Sequence, residues 1–407
     1  MRGWPLPAAL LLGALAAWWL ASPSESASAD APARPAPANT PRAATPPLIA
    51  SVPASAAAGT RSGLPLSPLN EAERSAQRTL WLGRLERAQE ALSNYERAAR
   101  YPHESRPIDE HPDQVRPFAP IAEERSLRVP HGTASANVKL LTTQERIFLS
   151  GAESSRITVT LQDSEGRTLP LRVNRSTLSE ATAPGRTSST TPVVVAINDA
   201  GQAGDAAAGD GIYTAWLQPA VQGFASYSGL VRFELWLEYA GQPGYLYFDL
   251  IYSPEQAARW LPGVREAVVA GSLEFKLKAE VLLPGRYVVN ARIDDAEGQP
   301  FAITIFNAEV GTGVQEFKLP VFGKLIRDKQ PSFPLQLRDV EAFLLKPDTY
   351  PDRVLMPRLA GVVHRSRSYA LAAFADAQWN SAERERYLVE LGRDVGQAKQ
   401  ELERLGP

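Results

Sequence analysis

Three aspartates and four glycines fall in the string Asn198-Asp199-Ala-Gly201-Gln-Ala-Gly204-Asp205-Ala-Ala-Ala-Gly209-Asp210-Gly211-Ile-Tyr213-Thr214, between an apolar run from Val193 to Ile197 and a strand that starts at Ile212. Carboxylates at Asp199, Asp205 and Asp210 on a glycine-rich loop suit calcium, a hard cation that takes several oxygen ligands in a flexible shell. The spacing is not that of an EF-hand, so the calcium expectation rests on the density of Asp and on the loop rather than on a known ligand code. The other use of the same side chains is to cap their own turns.

A second group could bind a partner. In Leu230 to Tyr239 (LVRFELWLEY), Val231, Phe233, Leu235 and Leu237 mark a buried face, which leaves Trp236 outward with Arg232, Glu234 and Glu238. After a turn read at Gly241 to Gly244, Leu246, Phe248 and Leu250 continue the buried face and put Tyr245, Tyr247 and Asp249 beside Trp236. Aromatic rings beside carboxylates and an arginine can stack on a sugar or anchor a protein, which makes Trp236, Tyr245 and Tyr247 the candidate ligand-binding residues. Cover by a helix is the structural alternative.

Catalytic signatures are missing: there is no GxSxG elbow, SxxK, GxxxxGK, GxGxxG or HExxH. His103-Glu104 begins like a zinc-protease helix, but Pro107 stands where the second histidine would be. No catalytic residue is assigned. The reading is therefore a non-enzymatic binding protein; the rival is a carbohydrate-active or proteolytic enzyme whose two carboxylates are brought together by the fold.

The elements that must position these residues are strands. Ile157, Val159 and Leu161 alternate, Asp163-Ser-Glu-Gly166 turns, and Leu169, Leu171 and Val173 alternate back; 132 residues later Val289, Ala291 and Ile293, then Asp295-Ala-Glu-Gly298, then Phe301, Ile303 and Ile305 repeat the device. The expected fold is mainly β: two tandem Ig-like β-sandwiches over residues 131–253 and 262–346, with Glu255 to Trp260 as a short helical connector. An N-terminal and a C-terminal amphipathic helix flank them. The first starts from Asn70 and Glu73 and carries Trp81, Leu85, Ala88, Leu92, Tyr95 and Ala99 in one seam; the second starts from Asn380 and Glu383 and carries Leu388, Leu391, Val395, Ala398, Leu402 and Leu405. Each seam packs on a sheet, on the other helix, or on a second copy of the chain. Residues 69–130 hold the first helix and a proline-rich segment that lies extended along a surface, and residues 347–407 hold the last segment and helix.

The string from Asp199 to Thr214 resembles the DxGxxGDxxAxDGxYT loop of bacterial choice-of-anchor type envelope proteins with Ig-like modules, and of the β-sandwich of chloride channel accessory proteins. Gly285-Arg-Tyr287 and Phe322-Gly323-Lys-Leu325 to Leu337-Arg-Asp-Val340 resemble the second sandwich of such bacterial proteins more loosely. The resemblance implies extracytoplasmic sandwiches with several anchoring modes and supplies no catalytic residue.

The start of the chain agrees with that address. Met1-Arg2 precedes an 18-residue apolar run, Trp4 to Ala21, and Ala27-Ser28-Ala29 offers a cleavage site, so residues 1–29 form a signal peptide or, if uncleaved, a membrane anchor. Residues 30–68 hold nine Pro and eleven Ala without apolar periodicity and read as a linker. The 43 Lys+Arg balance 45 Asp+Glu, which argues against nucleic acid, and with no Cys there is no disulfide, thiolate or Cys-ligated zinc. The expected partner is a protein or polysaccharide of the cell envelope, bound in the periplasm or at the envelope.

Overall fold

The computed structural model describes residues 70–135, 137–182 and 188–406. The chain divides between Pro68 and Leu69, and the second of the two units holds all of the elements named here. The signal or anchor and the Pro/Ala-rich linker lie outside the described residues. No helix among the described residues is long and apolar enough to cross a membrane.

The architecture is mainly β. In the first sandwich one sheet runs in spatial order Ile121–Ser126, Val138–Gln144, Ser155–Asp163, Ile212–Leu217 and Ile197–Asn198, with Thr168–Leu169 also pairing on Ser155–Asp163. The facing sheet runs Phe148–Ser150, Gln242–Ser253, Gly229–Tyr239, Arg172–Glu180 and Val193–Val194. Alternate residues of both sheets, among them Leu140, Ile157, Val159, Leu161, Leu178, Val231, Phe233 and Leu250, form its core.

The second sandwich has its own core around Phe275, Tyr287, Val289, Ile293, Phe317 and Leu319. Its larger sheet runs Ser105–Pro107, Pro300–Val310, Gly285–Asp294, Gln336–Leu345 and Arg353–Leu355, and Leu359–Arg365 also pairs with Gln336–Leu345. The smaller runs Ala258–Val269, Ser272–Val281 and Gly313–Val321. The expected helix over Glu255 to Trp260 is instead irregular backbone that becomes strand at Ala258, because Ala257 and Ala258 are wholly buried in the core and pairing with Ser272–Val281 satisfies the backbone.

The repeated Asp-x-Glu-Gly device has one geometry at both places. Asp163 Oδ1 accepts the Arg167 N–H at 2.9 Å and Gly166 N donates to Asp163 O; Asp295 Oδ1 accepts the Gln299 N–H at 2.8 Å and Gly298 N donates to Asp295 O. The return strands differ. In the second sandwich the return strand pairs along its whole length, in one register from Ile293↔Ala302 to Gly285↔Val310 after a shift next to Asp294↔Pro300. In the first, only Leu161↔Leu169 and Gln162↔Thr168 pair before the chain leaves for the other sheet as Arg172–Glu180. Pro170 stands at the break, where it has no N–H to give the ladder.

The two seams meet each other. Helix α1 (Glu71–Ala98) begins with the capping box expected from Asn70 and Glu73, and the last helix, α3 (Ala382–Leu405), begins one residue later than expected, on Ser381, whose hydroxyl accepts the Arg384 N–H. Between them in sequence lies α2 (Gly323–Lys329), which buries Leu325 and Ile326 in the second core. Tyr95 of α1 packs on Tyr387 of α3 with ring centroids 5.5 Å apart, Arg384 Nε donates to Ala99 O at 3.1 Å, and Arg78 at the start of α1 reaches Gly406 O at the end of α3. The helices therefore run antiparallel as a hairpin. Its base is fastened to the second sandwich by Asp328 of α2, which accepts from Arg100 (2.9 Å) and from the Tyr101 hydroxyl (2.9 Å).

The proline-rich segment is extended only in part, since two 3₁₀ turns, Ile108–Glu110 and Pro112–Val115, interrupt it, and it adds an edge strand to each sandwich: Ser105–Pro107 to the second, Ile121–Ser126 to the first. The sandwiches also touch directly. Leu355 N donates to Ser150 Oγ at 2.8 Å, and the Arg353 guanidinium lies 4.9 Å from the Phe148 ring and 5.0 Å from the Phe343 ring.

Candidate functional site

The face around Trp236 is built by one hairpin. Its turn is the two-residue Ala240-Gly241, with φ of 48° and 77°, and not the four residues from Gly241 to Gly244; positive φ at both positions matches the twist of the flanking strands. Gly244 thereby becomes a strand residue opposite Leu237, where a Cβ would come within 2.2 Å of Leu127 Cδ1. Small size lets Leu127 seal that edge.

The register brings the three sequence-predicted residues together. Trp236 is opposite Tyr245, Glu234 opposite Tyr247 and Arg232 opposite Asp249, while the intervening Val231, Phe233, Leu235, Leu246, Phe248 and Leu250 are buried. The Trp236 and Tyr245 centroids lie 4.8 Å apart, and those of Tyr245 and Tyr247 6.2 Å. Trp236 is 37% and Tyr247 42% exposed, so the helix hairpin does not cover them.

Polar partners hold the rings in place. The Tyr245 hydroxyl donates to Glu234 Oε1 at 2.5 Å; burial and that carboxylate push the phenol pKa well up, so it remains a donor. Arg232 donates to both oxygens of Asp249, at 2.7 and 2.8 Å, and its guanidinium sits 4.1 Å from the centre of the Tyr247 ring. The hydrogen bond to Asp249 raises the Arg232 pKa further. Asn174 donates to Glu238 at 3.1 Å. This is a preorganised surface: little side-chain entropy remains to be lost on binding.

Neighbouring strand Arg172–Glu180 contributes two residues that the sequence reading missed. Arg175 is opposite Trp236 and Arg172 opposite Glu238, across a bulge next to Trp236. They stand three residues apart, so a strict period of two would put them on opposite faces, and only the bulge brings both to the outer one. Tyr350, 60% exposed on the loop between two strands of the second sandwich, carries no sequence signal; with Tyr227 and Leu230 it lines a groove at the far end of the same hairpin.

In the aspartate loop the carboxylates turn inward on the loop itself. Asp199 accepts the N–H groups of Gly209 (2.7 Å), Asp210 (3.1 Å) and Gly211 (2.9 Å). Asp205, 8% exposed, accepts from Gly201 N at 2.7 Å and from the Thr214 hydroxyl at 2.9 Å, and Asp210 accepts from Ile212 N at 2.9 Å. All four glycines have positive φ, and at Gly211 (φ 77°) a Cβ would also meet Thr168 Cγ2 at 2.2 Å. Among the described residues no group of three or more His, Asp or Glu side chains is arranged to hold a metal ion. The geometry is that of turn capping, the alternative use of these aspartates.

His103 is not part of a helix; its Nε2 lies 3.0 Å from Glu104 Oε1 and the chain passes into the strand Ser105–Pro107.

No protein-family model matches the chain, and no curated protein matches it. Solved structures similar to it include a DUF4785 family protein from Legionella pneumophila, 10% identical over 58% of this chain and 62% of that one, with a TM-score of 0.38. FdeC, an Escherichia coli adhesin, is 12% identical over 55% of this chain and 65% of that one (TM-score 0.18). Dimeric latent PorU from Porphyromonas gingivalis is 10% identical over 58% of this chain and 33% of that one (TM-score 0.16). The chain spans less than two thirds of each. At TM-scores this low the likenesses establish no function for it.

Proposed function

We propose that the protein is a non-enzymatic binding component of the cell envelope, acting outside the cytoplasm, whose ligand face is the outer surface around Trp236, Tyr245 and Tyr247. One observation carries this reading: three adjoining aromatic rings stand on the outer face, Trp236 37% and Tyr247 42% exposed, with Tyr245 hydrogen-bonded to Glu234 and Tyr247 packed against the guanidinium of the Arg232–Asp249 pair. The apolar run and cleavage site at the start of the chain support the address, and the resemblance of the Asp199 to Thr214 string to envelope modules agrees with it.

The test is co-sedimentation of purified protein with isolated cell envelope. Trp236→Ala and Tyr247→Ala should each weaken retention about tenfold, equivalent to ~1.4 kcal/mol, with the melting temperature unchanged. Retention that is indifferent to both changes would overturn the reading. A reporter that works only outside the cytoplasm, fused after Pro130, should be active if the address is right.

A further inference from the structure

We infer that the face takes a neutral, linear polysaccharide, and that Tyr350 of the second sandwich completes the site, so that one chain of sugars is read by both sandwiches. This deepens the reading of the Trp236 face and rests on it. Its basis is the length of the face, its charge and its composition.

The outward positions Leu230, Arg232, Glu234 and Trp236 lie along one strand, so the track from Trp236 to Leu230 is about 20 Å long. At the Leu230 end the surface opens into a groove of about 770 Å³ lined by Tyr227, Tyr350, Ser226, Ser228 and Glu180. Rings thus stand at both ends: Trp236, Tyr245 and Tyr247 on the sheet, Tyr227 and Tyr350 at the groove. Tyr350 reaches it from the other sandwich, on the loop that follows Gln336–Leu345. A track of this length suits an oligomer of several sugar rings better than a single sugar.

Charge selects among ligands. On the sheet three arginines (Arg172, Arg175, Arg232) stand among three carboxylates (Glu234, Glu238, Asp249), and Glu180 at the groove adds a fourth, so the whole site is within one charge of balance. A polyanion would meet the carboxylates and a polycation the arginines. A neutral polyhydroxylated chain can donate to the first and accept from the second, while its ring C–H faces stack on the aromatics. A protein partner fits less well on the carboxylates: Glu and Asp are depleted at the centre of a protein interface even though Arg, Tyr and Trp are enriched there, and here Glu234, Glu238 and Asp249 stand among the rings.

Titration calorimetry on the purified protein tests this with cello-, chito- and laminari-hexasaccharides, the matching trisaccharides, and polygalacturonate as a polyanion. At least one neutral hexasaccharide should bind, about tenfold more tightly than its trisaccharide, and polygalacturonate should bind more weakly. Tyr350→Ala should abolish the advantage of length, and Tyr350→Phe should keep most of it. The side chain is exposed, so both variants should melt like the wild type. Absence of binding to all three hexasaccharides, preference for polygalacturonate, or a length advantage that survives Tyr350→Ala would overturn the inference. If Trp236→Ala still loses envelope retention in that case, the broader reading stands with a protein as the occupant; if it does not, both fall.

Discussion

Asp199 accepts three backbone N–H groups of its own loop, so its removal leaves three donors without their partner. Asp199→Ala should lower stability by about 1–2 kcal/mol, in the range of a lost helix cap, whereas Asp210→Ala, exposed and accepting one N–H, should cost about 0.5 kcal/mol or less. Urea unfolding measures both. With the carboxylates engaged by their own loop we expect the same melting temperature in calcium and in chelator; a calcium-dependent rise would bear out the metal expectation at Asp199, Asp205 and Asp210. Glu266 makes a second prediction. Its carboxylate points into the edge of the second sandwich and accepts from Arg367 N (2.7 Å), His364 Nε2 (2.9 Å) and the Tyr369 hydroxyl (3.0 Å). Burial alone would raise its pKa, but these donors together outweigh burial and hold it below the ordinary value of 4.5. A lowered folded-state pKa contributes stability that is present above pH 4.5 and lost as the pH falls through the lowered value. The stability gap between wild type and Glu266→Gln should therefore be widest near neutral pH and shrink below pH 4.5; a gap that stays constant would show that the charge contributes nothing.

The helix hairpin is the element whose stability depends most on one contact surface. Helix α1 has no fully buried residue, and the seam positions Trp81, Leu85, Ala88, Leu92 and Tyr95 are half-buried against α3. A charge placed in that seam loses water without gaining a partner. Leu92→Asp should destabilise the hairpin by about 1–3 kcal/mol and reduce the helical circular dichroism, while Arg87→Ala, on the exposed side, should stay within about 0.5 kcal/mol. Equal effects at both positions would mean that the seam contributes no stability. The β hairpin that carries Trp236 stands in contrast: its inner residues are buried in the first core, so its stability does not depend on the outer ones.

At the scale of the whole molecule, the joint between the sandwiches decides whether Tyr350 and Trp236 serve one ligand. Arg353 lies between a ring of each sandwich, Ser150 accepts the Leu355 N–H across the joint, and Lys346 pairs with Glu255 at 2.8 Å. Close by, Glu153 accepts from Ser150 N and Arg146; burial raises its pKa despite those donors. We expect calorimetry to give one unfolding transition for the wild type and two for Arg353→Ala combined with Ser150→Ala. A single transition at the wild-type temperature would show that other contacts, such as the shared edge segment 105–126, hold the pair together. If the joint loosens, the affinity for a hexasaccharide should fall with Trp236 and Tyr350 both intact.

The mainly β class, the paired Asp-x-Glu-Gly turns, the Asn70 capping box and the inward and outward sides of Leu230 to Tyr239 were all legible in the sequence. Each arises from a local rule: a period of two along a strand, three-and-four spacing along a helix, or a side chain reaching backbone a few residues away. The helical reading of Glu255 to Trp260 failed because burial of Ala257 and Ala258 and pairing to another strand overrode local pattern. Pro170 shows the same limit, since the alternation continues through it while the chain changes sheets. Only the tertiary structure decided that α1 pairs with α3, that residues 105–107 and 121–126 edge different sandwiches, that Asp199 spends its oxygens on its own loop, and that Tyr350 stands at the end of the aromatic track. The long-range contacts among these join residues up to hundreds of positions apart, whose partners no window of sequence contains; the aspartates are local, but the direction of their oxygens depends on how the whole loop closes.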